Sequence, residues 1–125
     1  IKNAPGTRLT VVKGFSTLTV RKFAADNPDV KCDLLIVDGG HEFKVAEKDI
    51  NNMKMLANPD FHVVAIDDTN CWQAGVCVDG AVQEQQERLQ IKAFYALGEV
   101  RHSKDKREMD RGVSLFHYDL RLPMP

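Results

Sequence analysis

No apolar run in this chain approaches the roughly 18 residues needed to cross a bilayer, so a membrane partner is not expected. Charge of either sign is not in excess: 17 Lys and Arg against 18 Asp and Glu leave a formal net charge of −1. Electrostatic capture of nucleic acid needs a basic face, so no nucleic-acid partner is expected. Cysteine is scarce, with three residues, and no cysteine–histidine spacing resembles a zinc site. Cys71 and Cys77 bridge only if the chain between them turns back, and free thiols in a reducing compartment are the simpler expectation. There is no visible signal peptide, no internal repeat, no low-complexity segment and no glycine-rich dinucleotide loop. A cytoplasmic protein is the expectation.

What is present is one domain's worth of ordinary globular sequence: 125 residues, 43% hydrophobic and 28% charged. Its most informative feature is Cys32-Asp33-Leu34-Leu35-Ile36-Val37 followed by Asp38-Gly39-Gly40-His41. Four consecutive apolar residues read as a strand buried on both faces, as in parallel sheets flanked by helices. The acidic residue, two glycines and histidine come where the chain leaves the sheet. Ligands of open α/β folds bind there, outside the carboxyl ends of the strands. The pattern recurs in Val63-Val64-Ala65-Ile66 followed by Asp67-Asp68-Thr69. If the two strands are parallel neighbours, Asp38, His41, Asp67 and Asp68 share one sheet edge.

Strands are expected at 9–12, 34–37, 62–66 and 113–118, with short strands at 94–97 and 99–102. Helices are expected at 16–26, capped by Ser16, at 42–56, and at 76–90. Phe43, Ala46, Ile50, Met53 and Ala57 give the second helix an apolar face, and Glu47, Lys48, Asn51 and Lys54 take the other side. The run 83–88 reads as a solvated helix face. Residues 103–111 read as an exposed loop and 120–125 as a tail. Strand, helix, strand, helix, strand, helix and a final strand pair make an α/β fold, the second half of a doubly wound sheet.

Residues 9–91 resemble the later part of class I S-adenosylmethionine-dependent methyltransferases. The nearest group is the metal-dependent O-methyltransferases that act on catechols, sugars and antibiotics. Val11-Val12-Lys13-Gly14-Phe15-Ser16 is similar to the strand and turn that touch the adenine edge of the cofactor. The segment 32–43, with Asp49 on the following helix, is similar to the pattern Asp-Leu-apolar-apolar-Ile-Asp-Gly-x-His-x-Tyr. Val64 to Thr69 is similar to the next strand and its acidic turn. The resemblance implies a Rossmann-like sheet of the methyltransferase type with a C-terminal antiparallel strand pair. The family's glycine-rich loop and its ribose-binding acidic residue precede the matched region and have no counterpart in this sequence. Residues 1–125 therefore read as the C-terminal part of such a domain within a longer protein. Alone, the piece is expected to be marginally stable or a homo-oligomer, through exposed strand edges.

By this resemblance Gly14, Phe15, Ser16, Asp38 and Gly39 contact S-adenosylmethionine, while Asp38, Asp67 and Asp68 hold magnesium. Oxygen donors suit that hard ion. Asp67 and Asp68 are consecutive and face opposite sides of a regular strand, so both reach one ion only if the strand ends at Ile66 and the chain bends. His41 is placed as a general base, for which an imidazole near neutrality is suited. Other roles stand beside these: Asp38 and His41 as turn caps, and Gly39 and Gly40 as turn formers or points of close approach. Trp72 reads as acceptor cover or packing. His62, His102 and His117 read as structural. The function implied is magnesium-assisted methyl transfer to an oxygen of a small hydroxylated acceptor. The competing reading is a non-catalytic methyltransferase-like scaffold.

Overall fold

The computed structural model describes residues 8–69, 77–88, 90–98 and 112–121. Its elements in order are α1 (Ser16–Asp26), β1 (Leu34–Val37), α2 (Phe43–Met53), a 3-10 turn (Lys54–Leu56), β2 (Val63–Asp67), α3 (Val78–Glu87), β3 (Ile91–Gly98) and β4 (Gly112–Tyr118). The four strands form one sheet in the order β1-β2-β4-β3. β1 and β2 are parallel, with Val37 opposite Ile66. β4 runs antiparallel to both of its neighbours, β2 and β3. This is the mixed α/β architecture with a terminal antiparallel pair that the sequence implied.

The core forms where the inward residues of the strands meet the inward faces of the helices. Leu35, Val37, Val64, Ile66, Phe116 and Tyr118 pack with Ala46 and Ile50 of α2 and Ala81 and Val82 of α3. α2 is the central helix, touching both α1 and α3. Leu34 and Ile36, by alternation, project from the other face of β1 and remain 60% exposed. The expectation of a strand buried on both faces therefore fails. β1 lies at the sheet edge, and among the described residues nothing covers its second face.

Residues 9–12 do not form a strand. No ladder includes them, and Leu9, Val11 and Val12 are exposed. A strand is held by its neighbour's hydrogen bonds, and among the described residues no strand lies beside this segment. The expected cap at Ser16 is also corrected. The N-cap of α1 is Phe15, with no side-chain capping bond, and the Ser16 hydroxyl points elsewhere. The second helix tightens into a 3-10 turn three residues before its expected end. Lys54, expected on its polar side, is buried and donates from Nζ to Gln90 Oε1 at 3.0 Å. The third helix is shorter than expected at both ends, and Gln85, assigned to a solvated face, is fully buried. β3 begins at Ile91, three residues before the expected strand, and is continuous across its irregular register. The segments 99–102 and 103–111, with His102, lie outside the described residues.

Candidate functional site

Parallel pairing brings the carboxyl ends of β1 and β2 side by side, so the residues that follow Val37 and those at the end of β2 meet at one edge. One carboxylate oxygen from each of Asp38, Asp67 and Asp68 lies within 4.8 Å of the others. Asp67 remains the last residue of β2, and the turn comes at Asp68. Asp68 has φ 58°, a left-handed conformation that aspartate tolerates better than most residues. That conformation brings the second of two sequential aspartates around to the side of the first. The bend thus falls one residue later than the sequence argument placed it. The turn is fixed by several bonds: the Asp68 amide donates to Asp67 Oδ1 at 2.9 Å, and the Thr69 amide to the Gly112 carbonyl at 3.0 Å. The Ser114 hydroxyl of β4 donates to Thr69 Oγ1 at 3.0 Å. β4 therefore anchors the acidic turn.

His41 joins the cluster, with Nε2 2.8 Å from Asp68 Oδ2. A carboxylate only accepts, so Nε2 carries the hydrogen, and in the neutral ring the lone pair resides on Nδ1. His41 is about half exposed and Asp68 largely covered, so the ring stands at the mouth of the cleft with its partner beneath it. Asp38, Gly39, Gly40, His41, Asp67 and Asp68 line this cleft together with Val78 at the start of α3. Three carboxylate oxygens and no soft donor are a set that fits a hard divalent cation.

Of the residues assigned to the cofactor by resemblance, Asp38 and Gly39 line this cleft, and Gly14, Phe15 and Ser16 lie at the start of α1. Gly14 adopts φ 137°, which glycine alone accepts readily, and the chain then enters α1 through Phe15. Phe15 is 81% exposed. Ser16 and Gly39 come together around Asp49 of α2. The Ser16 hydroxyl donates to Asp49 Oδ2 at 2.8 Å, and a Cβ on Gly39 would stand 2.8 Å from that same oxygen. Gly39 thus stands in close contact with the Asp49 side chain. Asp49 is the residue that sequence reasoning undervalued. It lies between Ala46 and Ile50 on the apolar face of α2, and a carboxylate at such a position is the signal that marks it.

The other histidines follow the structural expectation where they are described. His62 Nδ1 pairs with the Asn58 carbonyl at 2.8 Å, and its Nε2 accepts from the Tyr118 amide at 2.8 Å, so both nitrogens are engaged. His117 packs edge-on to that ring. Trp72 and Cys71 lie outside the described residues. Cys32 is free, but Cys77, just before α3, is disulfide-bonded. The expectation of free thiols throughout therefore fails.

No family model matches the chain, and no curated protein matches it in sequence. Among solved structures, the crystal structure of M1.HpyAVI superposes with a TM-score of 0.57 at 15% identity, over 86% of this chain and 53% of that one. The mixed α/β architecture, with its four-stranded partial sheet, matches a methyltransferase-like fold. At this identity the likeness is one of fold, and this chain spans about half the length of M1.HpyAVI. M1.HpyAVI is a DNA methyltransferase. That overturns the expectation of a small-molecule hydroxylated acceptor with no nucleic-acid partner. The small acceptor rested on the resemblance to O-methyltransferases, and the exclusion of nucleic acid on a net charge near zero, which averages over the surface whereas binding depends on the local field. No helix among the described residues is long and apolar enough to cross a membrane.

Proposed function

We propose that this chain is the C-terminal part of a class I methyltransferase domain in a longer protein, and that the complete domain transfers a methyl group from S-adenosylmethionine to an oxygen. The observation that carries the reading is the convergence of Asp38, Asp67 and Asp68 at the carboxyl ends of two adjacent parallel strands, with His41 held against Asp68. The three carboxylates are the residues that would hold a divalent cation such as magnesium. When bound, the cation would draw charge from the acceptor oxygen and make its proton easier to remove. His41, its Nε2 hydrogen committed to Asp68, presents Nδ1 as the base for that proton. Gly14, Phe15, Ser16, Asp38 and Gly39 would line the cofactor's side of the cleft. Much of the rate then comes from holding acceptor oxygen and methyl carbon in line.

The likeness to a DNA methyltransferase favours a second reading, in which the acceptor is nucleic acid and the atom methylated is not a hydroxyl oxygen. The test is methyl transfer by the intact protein from labelled S-adenosylmethionine, with and without a chelator, to DNA, RNA and hydroxylated compounds. Transfer that magnesium restores after chelation supports the reading. Transfer indifferent to chelation removes the cation from it. Failure to bind S-adenosylhomocysteine at all leaves the non-catalytic scaffold.

A further inference from the structure

Asp49 is the one fully buried carboxylate among the described residues, at 3% exposure, and the chemistry proposed above makes no use of it. A buried carboxylate costs stability unless its oxygens are well bonded. Here one oxygen is: Oδ2 accepts from Ser16 Oγ at 2.8 Å. The other, Oδ1, is buried and has no hydrogen-bond partner. Burial accordingly pushes the Asp49 carboxyl above its ordinary pKa, with the Ser16 bond opposing. Stability alone does not account for a carboxylate at this place; an apolar residue on the inward face of α2 would meet the packing requirement.

Its neighbours indicate another reason. The first turn of α1 has no side-chain cap and no acidic residue of its own. Asp49 brings a negative group to that positive helix end. One turn further along α2, Asn52 Nδ2 donates to the Thr17 carbonyl at 3.0 Å, so α2 grips the start of α1 at two points. On the other flank, Gly39 approaches so closely that a Cβ there would lie 2.8 Å from Asp49 Oδ2 and 3.8 Å from Ser16 Oγ. One oxygen atom thus sets the separation between the start of α1 and the turn that follows β1.

We propose that Asp49 is a positioning residue, which holds the Ser16 hydroxyl and the Gly39 backbone at a fixed spacing for their contacts with the cofactor. The inference rests on the reading of Ser16 and Gly39 as cofactor contacts. It adds a residue that touches neither cofactor nor cation and acts through Ser16 and Gly39.

The experiment measures binding of S-adenosylhomocysteine and of magnesium by calorimetry on the intact protein, with circular dichroism as the check on folding. Asp49→Ala should weaken S-adenosylhomocysteine by about tenfold or more, the scale of one hydrogen bond to a charged group, and leave magnesium affinity within about twofold. Asp49→Asn keeps an acceptor for Ser16 at the same place and should stay within about threefold of the wild type. Asp49→Glu keeps the charge but drives its oxygens toward Gly39, and should weaken binding as the alanine variant does. In a Ser16→Ala background Asp49→Ala should add less than about twofold, since the two act as one unit. If Asp49→Ala does not fold, the contrast between the asparagine and glutamate variants decides. Wild-type affinity in both Asp49→Ala and Asp49→Glu, an asparagine variant as weak as the alanine one, or an equal loss of magnesium would each overturn the proposal. A wild-type protein that does not bind S-adenosylhomocysteine overturns the methyltransferase reading itself, and this inference with it.

Discussion

Asp68 Oδ2 lies 2.8 Å from His41 Nε2, and the residue that supplies this oxygen is the described non-glycine residue whose φ is positive. The two facts are connected. In an extended conformation Asp68 would face away from Asp67; at φ 58° its carboxylate turns back to the edge where Asp38 and His41 stand. Left-handed backbone at a non-glycine residue is most often found where the surroundings impose it, as at binding and catalytic sites.

Substitution at Asp68 should therefore separate folding from ligand chemistry. Asp68→Gly relieves the backbone and should leave the thermal midpoint unchanged or raise it, while weakening magnesium binding. Asp68→Val adds a β-branched side chain at positive φ and should destabilise by about 1–3 kcal/mol. Urea melts of the two variants, followed by circular dichroism, check the order. A valine variant as stable as the glycine one would show that the turn carries no strain.

Much of this architecture was legible in the chain. Two apolar runs, each ending in an acidic turn, indicated neighbouring parallel strands and the meeting of Asp38 with Asp67 and Asp68. What was not legible depended on neighbours. Residues 9–12 have strand composition but no strand beside them among the described residues, and composition does not report a partner. Leu34 and Ile36 belong to a fully apolar run and remain 60% exposed, because the covering of a second face is a tertiary matter. Asp49 and Gln85 are polar residues that the helical period carries inward, and pattern reading assigned polarity to the outside. The exclusion of nucleic acid was drawn from net charge, which averages over the surface and does not report a local field.

Tyr118 ends β4 within the core, and its phenol donates to the Ile50 carbonyl of α2. It is nearly inaccessible, and burial pushes its ionisation well above the ordinary tyrosine value. Tyr118→Phe keeps the ring packing against Phe116 but leaves a buried carbonyl unbonded. The expected loss is about 1–2 kcal/mol of stability. A urea midpoint equal to that of the wild type would mean that the carbonyl finds another donor.

The Asp49 carboxyl gives a pH dependence whose sign is fixed. Its folded pKa is raised above the ordinary 3.8 by burial. The protonated form is therefore favoured in the folded state, and that contribution is fully present below about pH 3.9 and is lost as pH rises through the folded pKa. Asp49→Asn cannot ionise and lacks this dependence. The asparagine variant should gain stability relative to wild type as pH is raised from about 4 toward neutrality. Parallel urea melts across that range test it, and a constant difference between the two proteins would show that Asp49 does not titrate differently on folding.

The acidic cluster and the histidine should divide their labour in a way that kinetics can read. Asp67 ends a strand paired on both sides, with Val113 of β4 opposite it, so the strand stays in place when the carboxylate is removed, although the Asp68 amide loses its Oδ1 acceptor. Asp67→Ala should leave the fold and the affinity for S-adenosylhomocysteine largely intact while removing one of three oxygen donors from the cation. Magnesium affinity should fall steeply, and any magnesium-dependent methyl transfer with it. His41 has no place in that donor set, and its ring is about half exposed. His41→Ala should retain magnesium and S-adenosylhomocysteine binding and lose turnover by about 10²-fold or more, the usual effect of deleting a general base. Calorimetry for both ligands, beside turnover of the intact protein, gives the comparison. If His41→Ala lost magnesium as Asp67→Ala does, the histidine would be acting through Asp68 as part of the cation site and not as the base. If it lost nothing, the pair with Asp68 would be a structural clamp on the turn.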